Sequence, residues 1–265
     1  MIISHKYKLL FIGLPFSASS AISKELYLQY GGKSLLRKHS LYWEFKKVAT
    51  KEQREYFVFA VLRNPMEIAV TMYEKMNKNA KGNFTNPELF VENGGHITKN
   101  HRQKFDFIHN KKATFQEYFT KFFKNPYDNL ASLTIDHCDY VISYENIVED
   151  YLTCMKKAGI KNPKPLPIAN KTEGKNEDIC SYYTDDIKKE AIFIFGPFLE
   201  KYNYSFPASW GKVSPSIKSR LYFMVLSSLR KINQRFLKKQ PTRFSIKGTI
   251  YGDIQRKEVK EYSKI

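Results

Sequence analysis

The chain has little of several things. Among its 265 residues are three cysteines, Cys138, Cys154 and Cys180. They are far apart, odd in number and in no metal or redox spacing. A disulfide scaffold and a zinc ribbon are therefore excluded, and reduced thiols in a reducing compartment are expected. No apolar run approaches the roughly 20 residues of a membrane span. Met1 leads almost directly into the first expected strand, so no signal peptide is expected. The Walker pattern G-x-x-x-x-G-K-[ST] is missing, and with it the lysine and hydroxyl that serve nucleoside triphosphates. G-x-G-x-x-G is missing too, which argues against a dinucleotide site. Acidic residues are scarce: 26 Asp and Glu stand against 44 Lys and Arg, a net charge of +18. Such a balance favours polyanionic partners.

What is present begins with a strand. Tyr7–Ile12 reads as buried strand, and Gly13–Ser20 as a tight turn of small hydroxylated residues. Ala21 to Leu26 opens a helix. Free backbone N–H groups and the positive end of the helix dipole then point at whatever sits in the turn. Tyr56–Leu62 is the clearest strand, apolar throughout as strands covered on both faces are. Arg63 follows it, and Asn64-Pro65 gives a helix start. Other expected strands are Lys33–Leu36 and Asp139–Tyr144. Helices are expected over 41–55, from Pro65, and over 114–124, 145–158 and 185–202. Residues 77–112 read as loop and short helix, suited to binding an acceptor. Strands alternating with helices predict an α/β fold with a mainly parallel sheet flanked by helices on both faces. The Gly13–Ser20 turn, His39 and Arg63 fall at carboxyl ends of strands, where such sheets bind ligands.

The charge is uneven. Residues 212–265 hold 14 Lys and Arg against 3 Asp and Glu. A main domain over 1–211 and a basic helical extension over 212–265 are expected. In the extension Ser214 and Pro215 read as a helix start and Pro241 as its stop. Ile217, Leu221, Val225, Leu229, Ile232 and Phe236 form an apolar stripe. The helix either packs on the domain with a solvated basic face, or meets an anionic membrane or an oligomeric partner. Nucleic acid is a weaker expectation for the same charge.

Two anion clamps at neighbouring strand ends suggest a ligand with two phosphate groups. Arg63 supplies a rigid fork, and Thr71, seven residues after Asn64, adds a hydroxyl about two helical turns in. Here the chain resembles a family. Tyr7–Leu26 is similar to the 5′-phosphosulfate loop of sulfotransferases, "h-h-h-P-K-T-G-G-T-S". Phe59–Tyr73, with Arg63-Asn64-Pro65 and Thr71, is similar to their 3′-phosphate motif, "h-h-R-[DN]-P-x5-S-x-Y". Ser143–Tyr151 resembles "F-E-N-L-x2-D-F" of the carbohydrate-type members. Asn170-Lys171-Thr172 followed by Tyr182-Tyr183-Thr184 resembles their C-terminal pattern. Together the four motifs cover roughly residues 5–206.

The resemblance implies a P-loop-like sulfotransferase fold, with 3′-phosphoadenosine 5′-phosphosulfate as donor. The five-residue offset of His96 and His101 is no useful metal spacing, so no metal is expected. The resemblance also implies a hydroxyl of a carbohydrate or glycolipid as acceptor. Ser17, Ala18, Ser19, Ser20 and Ala21 would hold the 5′-phosphosulfate, Arg63 and Thr71 the 3′-phosphate, and Lys171 would lie near the nucleotide. His39, beside Arg37 and Lys38, matches a Lys-His position and is expected to act as base, since an imidazole with a pKa of about 6.5 suits that task. His96 and His101 are the other histidines expected near acceptor. The departures are Phe16 for the loop lysine, Ala18 and Ser19 for its glycines, and Ile68 for a second arginine. Lys24, Arg37 and Lys38 are the candidates to supply the missing charge. A non-catalytic protein that binds nucleotide or glycan is the alternative. The expected location is cytoplasmic, either free or peripheral to a membrane.

Overall fold

The structure is a computed structural model describing residues 1–167, 174–176, 178–237 and 252–254. The chain divides into two compact units. The first comprises Met1–Arg63, Leu130–Lys171 and Ser245–Ile265; the second comprises Asn64–Asn129 and Thr172–Phe244.

The first unit is α/β. Its sheet has five strands: β1 (Ile2–Ser4), β2 (Leu9–Ile12), β3 (Lys33–Ser34), β4 (Phe57–Leu62) and β5 (Tyr140–Ser143), in the order β3-β1-β2-β4-β5. β2 and β5 both pair with β4 in parallel, whereas β1 is antiparallel to both β2 and β3. The sheet is therefore mixed, not mainly parallel. The cause lies at the start of the chain. Ile2-Ile3-Ser4 is a strand in its own right, and four residues of turn suffice only for an antiparallel return. Lys8 ends that turn at φ +50°.

Alternation along the strands sets two faces. Leu9, Phe11, Phe59, Val61 and Ile142 share one of them. They pack with Ile22 and Leu26 of α1 (Ser19–Gln29) and with Tyr151, Cys154 and Met155 of α6 (Ile147–Lys157). On the opposite face Leu10, Ile12 and Ala60 are also fully buried. Burying each large side chain contributes about 1.5–3 kcal/mol, which fits the absence of polar residues from β2 and β4. The helix expected over 41–55 is α2 (Tyr42–Val48), followed by a 3-10 turn over Glu52–Glu55.

The second unit is helical: α3 (Pro65–Asn77), α4 (Lys99–Lys111), α5 (Phe115–Phe122), α7 (Asp185–Lys201) and α8 (Ile217–Ile232). α3 starts where Asn64 and Pro65 dictate, with the Asn64 side chain accepting from the Met66 N–H at 2.9 Å. The core is largely aromatic, with Tyr73, Phe115, Tyr118, Phe119, Tyr183 and Phe195 in one cluster. The 77–112 stretch is loop and short 3-10 helices up to residue 98, as expected, but α4 that follows is a 13-residue helix, longer than that reading allowed. α8 begins two residues beyond the expected start, because the Ser216 hydroxyl accepts from the Ser219 N–H at 3.2 Å. Pro241 lies outside the described residues. Among the described residues no helix is long and apolar enough to cross a membrane.

Candidate functional site

The candidate site lies in the first unit, at the end of β2. Gly13 through Ala18 form the turn, and α1 starts at Ser19. A side chain at Gly13 would bring its Cβ to 3.0 Å from the Ser19 Cβ and 3.4 Å from the Lys38 carbonyl oxygen. Glycine lets the strand end, the helix start and the 35–40 segment close on one another without displacing any of them. Within the turn the Ser17 hydroxyl donates to the Leu14 carbonyl at 2.7 Å. That hydroxyl hydrogen holds the turn's own shape. Ser17 and Ser19 are buried, while Ser20 and Ala21 are half-buried.

Phe16 and Ala18 occupy left-handed backbone, at φ +62° and +52°. Ala18 is also the N-cap of α1 and has no side chain to cap it. A Cβ in this conformation costs roughly 1–2 kcal/mol. We expect Ala18→Gly to stabilise the protein by about 1 kcal/mol, the relief being partly offset by glycine's greater freedom when unfolded. A urea midpoint that rises with unchanged slope would agree, whereas a fall would show that the turn is unstrained.

Three side chains from elsewhere converge on this turn. The Lys38 ammonium donates to the Ser20 hydroxyl at 3.1 Å, in the first turn of α1. The His39 ring meets the Gly13 carbonyl oxygen at 2.7 Å through Nδ1. A carbonyl only accepts, so Nδ1 carries the hydrogen and Nε2 keeps its lone pair. Burial first, and then the neighbouring Lys38 charge, push the His39 pKa down to about 4. The imidazole is neutral at pH 7, but a pKa this far below neutrality makes it a weaker proton acceptor than the value of about 6.5 expected from the sequence. Arg63 donates to the Phe16 carbonyl at 3.0 Å. Its guanidinium lies 4.1 Å above the centre of the Tyr144 ring.

The strand register explains the last contact. β4 and β5 run parallel with Leu62 opposite Ser143, so the next residues, Arg63 and Tyr144, leave the sheet side by side. Tyr144 has no expected role in the sequence reading. The sequence places it only as the last residue of the expected strand Asp139–Tyr144 and within the Ser143–Tyr151 resemblance; the observed strand ends one residue earlier, at Ser143.

The expected residues thus divide. Ser17, Ala18, Ser19, Ser20, Ala21, His39 and Arg63 belong to one unit and meet around one turn. Thr71 lies on α3 in the second unit and is buried, 1% exposed. Lys171 lies outside the described residues. Of the candidate cations, Arg37 pairs with Glu44, while Lys38 reaches the turn. His101 serves as the N-terminal cap partner of α4, its Nδ1 accepting from the Thr98 N–H at 3.3 Å. His109 meets the Met76 carbonyl at 3.0 Å, and His137 stacks on Tyr42.

A strand, a tight turn, a helix start, an ammonium and a neutral imidazole can together hold an anion and accept a proton beside it. No family model matches the chain, and no curated protein and no solved structure matches it.

Proposed function

We propose that the protein is a sulfotransferase. In this reading it moves a sulfuryl group from 3′-phosphoadenosine 5′-phosphosulfate to a hydroxyl of a carbohydrate or glycolipid, on a P-loop-like sulfotransferase fold. One observation carries the reading above the motif resemblance: Lys38 and His39 converge on the two ends of the Gly13–Ser20 turn. The resemblance lacks its loop lysine because Phe16 stands there. Lys38 brings a positive charge to the same turn from another segment.

The donor set suits an anion. It comprises the N–H groups of the first turn of α1, the Ser20 hydroxyl and the Lys38 ammonium. Bound there, the donor supplies a sulfuryl group on a phosphate leaving group. Lys38 would stabilise the negative charge that grows on the leaving oxygen, by the same logic as in phosphoryl transfer. His39 would accept the proton of the attacking hydroxyl at Nε2, while Gly13 holds the ring through Nδ1. Arg63 would face the 3′-phosphate as the resemblance implies, and Lys171 would lie near the nucleotide. Positioning and charge stabilisation then account for most of the catalysis.

Calorimetry with adenosine 3′,5′-bisphosphate tests the reading at its base. Binding is expected, and Arg63→Ala should weaken it by about 1.5–3 kcal/mol, the range for a hydrogen bond to a charged group. Absence of binding by the unmodified protein would remove the proposal. The alternative is a non-catalytic protein that binds nucleotide or glycan. It is favoured by Phe16, which stands where the resemblance has its loop lysine. Nucleotide binding without sulfuryl transfer to any of a broad panel of glycans and glycolipids would support it.

A further inference from the structure

α8 sits on its unit the wrong way out for a helix that serves a core. The side chains it turns inward include Ser219 and Ser227, both buried, with Phe223 between them. The Ser219 hydroxyl donates to the Phe193 carbonyl, and the Ser227 hydroxyl donates to Asp128 at 3.0 Å. Arg230 also reaches Asp128, at 3.2 Å, and Arg220 pairs with Glu200 at 2.7 Å. Polar bonds therefore fix the helix in this rotation.

The apolar stripe faces outward as a result. Ile217, Leu221, Met224, Val225, Leu229 and Phe236 are 54–73% exposed. At 100° per residue the members from 217 to 232 fall within little more than a third of the helix circumference. Soluble monomers rarely leave such a contiguous strip uncovered. Charge identifies what covers it. Lys218, Lys231 and Arg235 are exposed along the same helix and the turn after it. From residue 212 to residue 252 the sequence holds ten Lys and Arg and no Asp or Glu. A second copy of this chain would set like charges against like. An anionic lipid surface offers hydrocarbon for the stripe and negative headgroups for the flanks.

We infer that α8 is a membrane-surface helix that lies in the plane of an anionic bilayer, its aliphatic stripe among the acyl chains and its lysines and arginines at the headgroups. The helix has 16 residues and does not span. α8 belongs to the second unit and the Gly13–Ser20 turn to the first, and the test is independent of whether the protein transfers sulfuryl groups.

Co-sedimentation of the full chain with vesicles decides the matter. Binding should be at least about tenfold stronger to equimolar phosphatidylcholine and phosphatidylserine than to phosphatidylcholine alone, and should weaken with added salt. The triple variant L221Q/V225Q/L229Q changes exposed side chains only and should keep the wild-type circular dichroism and melting temperature. It should lose about tenfold or more of the vesicle binding. The pair K231Q/R235Q should lose about fivefold per charge on anionic vesicles and little on neutral ones. Equal binding to both vesicle types, or full binding by the triple variant, would overturn the inference. So would self-association that the triple variant abolishes in a protein that ignores vesicles, which would make the stripe a contact between copies.

Discussion

On the proposed sulfotransferase reading, replacing His39 by alanine will lower sulfuryl transfer by about 10²- to 10⁴-fold, the usual contribution of a positioned base. Affinity for adenosine 3′,5′-bisphosphate will stay close to that of the unmodified protein. The split between turnover and binding is the diagnostic part. The His39 ring touches the turn through the Gly13 carbonyl at 2.7 Å, so a merely structural role would disturb binding and turnover together. Single-turnover assays and calorimetry on one preparation separate the two. A variant that transfers at the normal rate would end the case for His39 as the base.

The same histidine leaves a mark on stability. Its pKa is about 4 when folded and about 6.5 when unfolded. Between those values the unfolded chain binds the extra proton, so folding weakens as pH falls through that window. Above pH 6.5 the effect is absent; below pH 4 it is complete. A His39→Gln variant lacks this liability. It will gain on the unmodified protein in acid, by no more than about 3 kcal/mol.

The second large effect is on folding. Phe119→Ala will destabilise the protein by about 3–5 kcal/mol, as for buried aromatics removed from a packed core. Phe119 is fully buried on α5. Its ring centre lies 5.0 Å from that of Phe123, 5.5 Å from Tyr183 and 5.7 Å from Phe195. Phe123 caps the same helix, and Tyr183 and Phe195 come from the stretch that leads into and forms α7, so none can collapse into the gap without losing its own contacts. Urea unfolding will show the loss in the midpoint. A loss below about 1 kcal/mol would mean that the cluster repacks freely.

The sequence is legible where local chemistry decides the outcome. β4 is apolar at every position and could be little else. Asn64 and Pro65 start α3 by capping and by a fixed φ, both local effects. The turn after β2 is readable for the same reason. Elsewhere tertiary context decides. β1 is three residues long and acquires its identity only by pairing with β2 and β3. α4 carries Lys, Asn, His, Arg, Gln and Lys before its first phenylalanine, and only Phe105 and Ile108 are buried. Its apolar period is too sparse to read. Its capping box is disguised because His101 stands where Glu or Gln is usual.

The site is legible in part. Residues adjacent in sequence, such as Ser19 and Ser20, can be assigned to one helix start. That Lys38 rather than Lys24 or Arg37 reaches Ser20 depends on how the chain returns after α1 and β3, 18 residues later, and periodicity says nothing of that. Arg63 is visible as a strand-end cation, but its seat on Tyr144 needs the parallel register. The apolar stripe of α8 is plain in the sequence. Which way it faces is not, since that rests on Ser219 and Ser227 finding acceptors on neighbouring segments.

Lys38 and His39 are consecutive, yet they hold opposite ends of one turn: Ser20 at the helix start and Gly13 at the strand end. For protein engineering, the turn and the 35–40 segment are therefore a single transferable part. A loop graft that carries Gly13–Ser20 into another sheet must carry its partner segment in the same register. Inserting one residue between Lys38 and His39 would release one end of the turn whatever its sequence. Libraries that diversify this site do best to hold the Lys-His step fixed and vary what surrounds it.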